Sequence, residues 1–253
     1  MINPEVKKMN KRYTHQEVLK KFGNSENELI QIATRYNSTK ITDPECVQYC
    51  HFYDRHLSHL RTQAPKILEI GVKHGDSLNM WKDYFPMGHI YGLEYNEAPL
   101  RDFEAERVKI YIGDQTDLDL LQKICEEVGR FDVIIDDASH VVEHQITSFE
   151  YLFQHGLKDN GLYIIEDLGS SYWPKWGGGL KKPSTAIEYL KDLVDSLNFR
   201  FHKGGRQEYV GIPENNEVNP SYFDRNVVGL SFYKGTCVVE KGDNPLTVDR
   251  NDF

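Results

Sequence analysis

Five short apolar, β-branched runs constrain the fold of this chain more than any other feature: KILEIGV from Lys66, HIYGLEY from His89, VKIYIGD from Val108, FDVIIDD from Phe131 and GLYIIED from Gly161. Runs this short and this apolar read as strands buried on both faces, as in a parallel sheet. Helix-like stretches over residues 77–84, 117–128 and 143–155 separate them. Strands alternating with helices give βαβ units, with right-handed crossovers. The last third breaks that alternation. Thr185 to Leu197 reads as a helix with Ile187, Leu190, Val194 and Leu197 on one side. NVVGLSFYK and TCVVEKG follow, turning at Lys234 and Gly235, and strands that close form an antiparallel hairpin. Upstream, residues 14–36 and 44–60 show helical spacing, with NSTKITD a loop between them. The expected fold is α/β: an N-terminal helical cap over residues 1–62, then one domain over 63–253. A chain of βα units ending in a hairpin departs from the dinucleotide-binding order, which keeps its strands parallel.

Composition narrows the function classes. With 253 residues and 39% hydrophobic content, the chain can bury a core. No run approaches the roughly 20 apolar residues of a membrane span, and MINPEVKKMNKRYTHQEV lacks the apolar stretch of a signal peptide. A cytoplasmic protein without a membrane partner is expected. A net charge of -9, without a clustered Lys/Arg run, argues against nucleic acid as a partner. Four cysteines are too few for a disulfide framework. Cys125 and Cys237 lie in apolar segments and read as buried thiols. Cys46 and Cys50 fall near His51, His56 and His59, but no CxxC pair exists, so a structural zinc site is disfavoured.

Chemistry concentrates at strand ends. FDVIIDDASH and GLYIIEDL each stop on two carboxylates, at the sheet edge where open α/β folds place ligands. Asp137, Glu166 and Asp167 facing one point would need a cation, or one of them would stay protonated. His140 adds a group that accepts a proton near neutral pH. In LEIGVKHGDS, Gly71 and Gly75 let backbone approach a ligand, and the helix that follows offers free N–H groups. The spacing is GxxxG and departs from the dinucleotide fingerprint. Glu69 there repels a pyrophosphate and attracts an ammonium group, so an amino-acid-like cofactor is favoured. Glu94 ends the second run, where an acid takes ribose hydroxyls. Asp114 and Gln115, in GDQTD, could read an adenine edge, with Thr116 or Asp117 capping the next helix.

From about Lys66 to Lys241 these strand tips resemble a class I S-adenosylmethionine-dependent methyltransferase. The resemblance implies a Rossmann-like, mostly parallel seven-stranded sheet, its reversed last strand matching the hairpin. It also implies S-adenosyl-L-methionine as cofactor. By position, Glu69, Gly71, Gly75 and Ser77 belong to the methionine end, Glu94 to the ribose, and Asp114 and Gln115 to the adenine side. Asp137 also counts among the cofactor-binding positions. Glu stands at 94 where Asp is also common in the family.

The acidic centre is similar to that of the metal-dependent sugar O-methyltransferases of the mycinamicin 2''-O-methyltransferase type, and its arrangement is similar to catechol O-methyltransferase too. TKITDPECVQYCHFYDRHLSHLR resembles that group's lead-in to the first strand, with Lys40 a further position near the cofactor. The resemblance implies Asp137, Glu166 and Asp167 as Mg²⁺ ligands and His140 as catalytic base. It implies a sugar or glycosylated natural product as substrate, and a homo-oligomer. The chemistry agrees: hard Mg²⁺ binds a diol and lowers its pKa, and histidine removes the proton. Tyr172, Trp173 and Trp176 could stack on a sugar face, or pack as a lid. Gly177 to Gly179 would keep that aromatic segment a flexible loop.

Three other readings compete. A related iron-dependent hydroxylase could use the same residues, although one His with three carboxylates favours hard-metal oxygen chemistry. A non-catalytic cofactor-binding scaffold would leave the acid–base set without purpose. His140, Glu143 and His144 spell HxxEH, a peptidase pattern needing both histidines on one helix face. His140 follows immediately on a strand, which disfavours it.

Overall fold

The fold was obtained as a computed structural model, which describes residues 12–43, 47–101, 103–202 and 220–245. It divides into two compact units, Met1–Gly113 and Asp114–Phe253. Cys46 of the weighed zinc set lies outside the described residues.

The first unit opens with α1 (His15–Phe22), where Thr14 and Glu17 form a reciprocal capping box. Gly23 closes it, and Asn27 caps α2 (Glu28–Arg35). The helical spacing over 14–36 therefore resolves as two helices, because the Gly–Asn–Ser turn interrupts the backbone ladder. The expected NSTKITD loop contains a one-turn helix, α3 (Thr39–Thr42), capped by Ser38. Four residues are too few to display a period. Next come α4 (Val47–Leu57), β1 (Lys66–Ile70), α5 (Asp76–Tyr84), β2 (His89–Glu94) and β3 (Val108–Ile112). β1 pairs with β2 and β2 with β3, both parallel. The N-terminal helices join the same core: Tyr53 of α4 meets fully buried Trp81 of α5 edge-on, with centroids 4.9 Å apart. Arg61 holds Glu28 through both guanidinium nitrogens, at 2.6 and 2.5 Å. A buried aromatic side chain of this kind contributes about 1.5–3 kcal/mol.

The second unit runs α6 (Leu118–Val128), β4 (Phe131–Asp136), α7 (Val142–His155), β5 (Leu157–Ile165), α8 (Ala186–Leu197), α9 (Phe199–His202), α10 (Tyr222–Asn226), β6 (Val227–Tyr233) and β7 (Thr236–Lys241). β4 and β5 are parallel, while β7 runs antiparallel to both β5 and β6. The seven strands follow the order β3-β2-β1-β4-β5-β7-β6, the mostly parallel sheet with an antiparallel C-terminal pair. On α8 the buried positions are Ala186, Leu190 and Leu193, and Val194 is exposed. The apolar stripe thus sits one step round from the expected one. Phe149 of α7 centres the core, stacking on Phe223 and meeting Tyr163 edge-on. Lys241 is fully buried at the end of β7, where it donates to the carbonyls of Phe153 and Leu157, each at 2.9 Å. It thereby caps the negative end of α7. Among the described residues no helix is long and apolar enough to cross a membrane.

Candidate active site

In the first unit, β1 runs into a turn that carries three left-handed residues, Gly71 (φ 89°), Lys73 (φ 55°) and Gly75 (φ 84°). Glu94, at the end of β2, clamps that turn. One carboxylate oxygen accepts the Val72 and Lys73 N–H groups at 2.9 and 2.7 Å, and the other accepts Asn96 N–H at 2.9 Å. A carboxylate offers about four acceptor positions, so Glu94 retains capacity for a further donor such as a ribose hydroxyl. Glu69 is buried. Ser77 Oγ donates to it at 2.6 Å, and Lys40 Nζ, from the one-turn helix α3, lies 3.3 Å from its second oxygen. A Cβ at Gly75 would come within 2.3 Å of the Phe103 ring, so a close approach there requires glycine. Glu69 is engaged within the protein, with the Lys40 ammonium where a ligand's amino group is expected, and Glu94 is the acid of this turn with an open acceptor position.

In the second unit, Asp136 ends β4 fully buried, with Ser148 Oγ donating at 2.7 Å. Burial pushes its carboxyl up to about 6, against the pull of the Ser148 hydrogen bond. The next residues turn outward. Asp137, His140 and Asp167 each bring one ligand atom within 4.8 Å of the others. His140 Nε2 lies 3.3 Å from Asp167 Oδ2. Both residues are left-handed, at φ 58° and 53°, a conformation that for non-glycine residues clusters at functional sites. Two carboxylates and an imidazole fit a divalent cation. Glu166 is buried, its N–H donating to the Asp136 carbonyl at 2.9 Å, and its carboxylate is not part of this cluster.

The remaining expected residues fall as follows. Asp114 accepts both the N–H and the hydroxyl of Thr116 at 2.8 Å, which lowers its carboxyl pKa, chiefly through the backbone N–H. Gln115 is buried. Its Nε2 donates to Ser148 Oγ at 3.2 Å and to Asp136 at 3.3 Å, and its Oε1 accepts Ser139 N–H at 3.1 Å. Tyr172, the last residue of one 3₁₀ turn, and Trp173, which joins it to the next, are 45% and 58% exposed. Trp176 meets the His140 ring edge-on at 6.1 Å. His140 precedes α7, so the HxxEH histidines do not share a helix face, and His144 Nδ1 instead lies 3.0 Å from Ser139 Oγ. Ser148, Ser139 and Gln145 carry no sequence signal, because polar residues on a helix or in a loop read as solvated.

No family-level sequence profile matches the chain. Individual proteins do match. Over 241 residues the chain is 36% identical to mycinamicin VI 2''-O-methyltransferase of Micromonospora griseorubida, covering 90% of this chain and 56% of that protein. It is 40% identical over 202 residues to demethylmacrocin O-methyltransferase of Streptomyces fradiae, covering 76% and 48%. The chain is a homologue of these sugar O-methyltransferases over most of its own length. Among solved structures, MycE methyltransferase from the mycinamycin pathway in complex with Mg and SAH superposes with a TM-score of 0.75 at 36% identity, covering 86% of this chain and 54% of that one. A second MycE structure, with Mg, SAH and mycinamycin VI, gives 0.73. These superpositions identify the sheet as the class I methyltransferase fold. The chain spans about half the length of the curated sugar O-methyltransferases it matches.

Proposed function

We propose that this chain catalyses S-adenosylmethionine-dependent, Mg²⁺-dependent methylation of a hydroxyl on a sugar or glycosylated natural product. The observation that carries the reading is the convergence of Asp137, His140 and Asp167 at the strand tips, the last two on left-handed backbone. Glu69, Gly71, Gly75, Ser77 and Glu94 are assigned to S-adenosylmethionine, with Asp114 and Asp137 as further contacts; Gln115, expected there from the sequence, has its amide engaged by Ser139, Ser148 and Asp136 and is left out of this set. Asp137 and Asp167 are assigned to the metal; Glu166, expected as a third ligand, is buried outside their cluster. When bound, Mg²⁺ would supply charge that lowers the pKa of a coordinated sugar hydroxyl.

The chain's own residues do the rest. His140 Nε2 takes the hydroxyl proton, and neighbouring Asp167 stabilises the imidazolium that forms. The clamped turn fixes the methionine end of the cofactor so that the methyl is presented in line, a positioning effect. Tyr172 and Trp173 supply exposed aromatic faces for the sugar and exclude water. The same reading carries residues 1–62 as a helical cap on the methyltransferase domain at 63–253, a homo-oligomer, a cytoplasmic location and no nucleic-acid or membrane partner.

The test is methyl transfer from labelled S-adenosylmethionine to a panel of macrolide glycosides, with and without EDTA. Activity should vanish in EDTA and return with excess Mg²⁺. Full turnover in chelator removes the metal from the mechanism. A rise in melting temperature with S-adenosylhomocysteine but no product from any glycoside would favour a cofactor-binding scaffold.

One observation favours a second reading. His140 stands inside the ligand cluster and the Glu166 carboxylate outside it. His140 would then be a metal ligand itself, a donor set that also admits iron and hydroxylase chemistry. Metal analysis of protein purified without chelator separates the two.

A further inference from the structure

Two buried glutamines reach the residues that precede His140 and Asp167. Gln115 Oε1 accepts Ser139 N–H at 3.1 Å, one residue before His140. Gln145 Nε2 donates to the Glu166 carbonyl at 3.0 Å, one residue before Asp167. Both glutamines are buried, Gln145 completely. His140 and Asp167 are the two left-handed members of the cluster. A left-handed non-glycine residue is disfavoured by its Cβ and persists only where its surroundings fix it.

Gln145 also leaves its Oε1 buried without a hydrogen-bond partner among the described residues. An unmet buried acceptor is destabilising, so this side chain is a poor choice for stability alone. Gln115 anchors the other loop more broadly. Its Nε2 donates to Ser148 and to the Asp136 carboxylate, which places the Ser139 N–H on a fully buried network.

We infer that Gln115 and Gln145 are positioning residues that hold His140 and Asp167 in the left-handed conformations bringing their side chains together. The inference rests on the metal and base roles proposed above. For Gln115 it replaces adenine recognition with a structural link between the β4 tip and the base-bearing turn.

The experiment uses the full chain and the variants Gln145→Met and Gln115→Met. Mn²⁺ is titrated by electron spin resonance, S-adenosylhomocysteine by calorimetry, and melting is followed by circular dichroism. Loss of a side chain that orients a ligand weakens metal binding by roughly 10–100-fold. Gln145→Met should weaken Mn²⁺ binding to that extent while its melting temperature holds or rises, a split that a merely structural glutamine would not give. Gln115→Met should also weaken Mn²⁺ binding and lower kcat, with S-adenosylhomocysteine affinity retained. Wild-type Mn²⁺ affinity in both folded variants overturns the inference, as does a loss confined to S-adenosylhomocysteine in Gln115→Met. If the wild-type protein takes up no Mn²⁺, the metal reading falls. The exchange rate of the Ser139 amide then decides the inference alone: faster exchange in Gln115→Met keeps it, and an unchanged rate removes it.

Discussion

His140 Nε2 approaches Asp167 Oδ2 to 3.3 Å across the gap between two strand tips, and both residues reach that position on left-handed backbone. The pair can act as a base with its orienting acid, or as two ligands of one cation. These alternatives differ in what each substitution removes.

Removing the imidazole should separate proton transfer from binding. His140→Ala is expected to lower kcat by about 10²–10⁴-fold, the usual contribution of a general base. Mn²⁺ and S-adenosylhomocysteine affinities should be unchanged. If His140 is a metal ligand, Mn²⁺ affinity falls with the rate, and a titration of the variant reads this directly.

Asp167→Asn keeps a side chain that tolerates the left-handed region and removes the charge. The fold should be retained, with an unchanged circular dichroism spectrum. Mn²⁺ affinity should fall by more than about tenfold.

Lys40 and Glu69 form an ion pair with both side chains buried. Lys40→Met leaves Glu69 buried without that cation, at a cost of about 3–5 kcal/mol. Adding Glu69→Gln should recover part of the loss. Urea denaturation of the two singles and the double gives the coupling.

Gly75→Ala places a methyl against the Phe103 ring at a φ of 84°. A stability loss of about 1–2 kcal/mol is expected from the backbone alone. S-adenosylhomocysteine should also bind more weakly, because the turn must shift, and calorimetry measures it.

Lys241 donates to buried carbonyls at the end of α7, and burial pulls its pKa down to about 8. Lys241→Met should cost about 1–3 kcal/mol at pH 7 through the unsatisfied acceptors. In the unfolded chain the same lysine titrates near about 10.4. Between these values the unfolded chain holds the proton that the folded one has released, so stability rises with pH through this window. The wild type should therefore gain stability relative to Lys241→Met between about pH 8 and 10, read from melting curves of both proteins.

The sheet was legible because its strands announce themselves twice, by apolar β-branched runs and by the acids that stop them. Glu94, Asp137 and Asp167 sit at strand ends, where a carboxylate keeps contact with solvent, whereas the buried acids Glu69 and Asp136 are held by Lys40, Ser77 and Ser148. The organising residues were hidden for the opposite reason. Lys40 lies in a helix too short to show a period, and its burial depends on Glu69, distant in sequence. Gln145 and Ser148 lie on α7, where polar residues ordinarily mark the wet face, yet both are fully buried. Glu166 and Asp167 are indistinguishable as a pair in the sequence. The left-handed turn at Asp167 sends one carboxylate into the cluster and leaves the other in the interior.

The clamp at Glu94 bears on any redesign of this protein. A single carboxylate both shapes the Val72–Lys73 turn and keeps one acceptor position open. If Glu94 takes the ribose as proposed, changing position 94 to admit sulfonium analogues with altered sugars would therefore also unmoor the turn. Selectivity is better recoded from the surrounding side chains, leaving the acid in place.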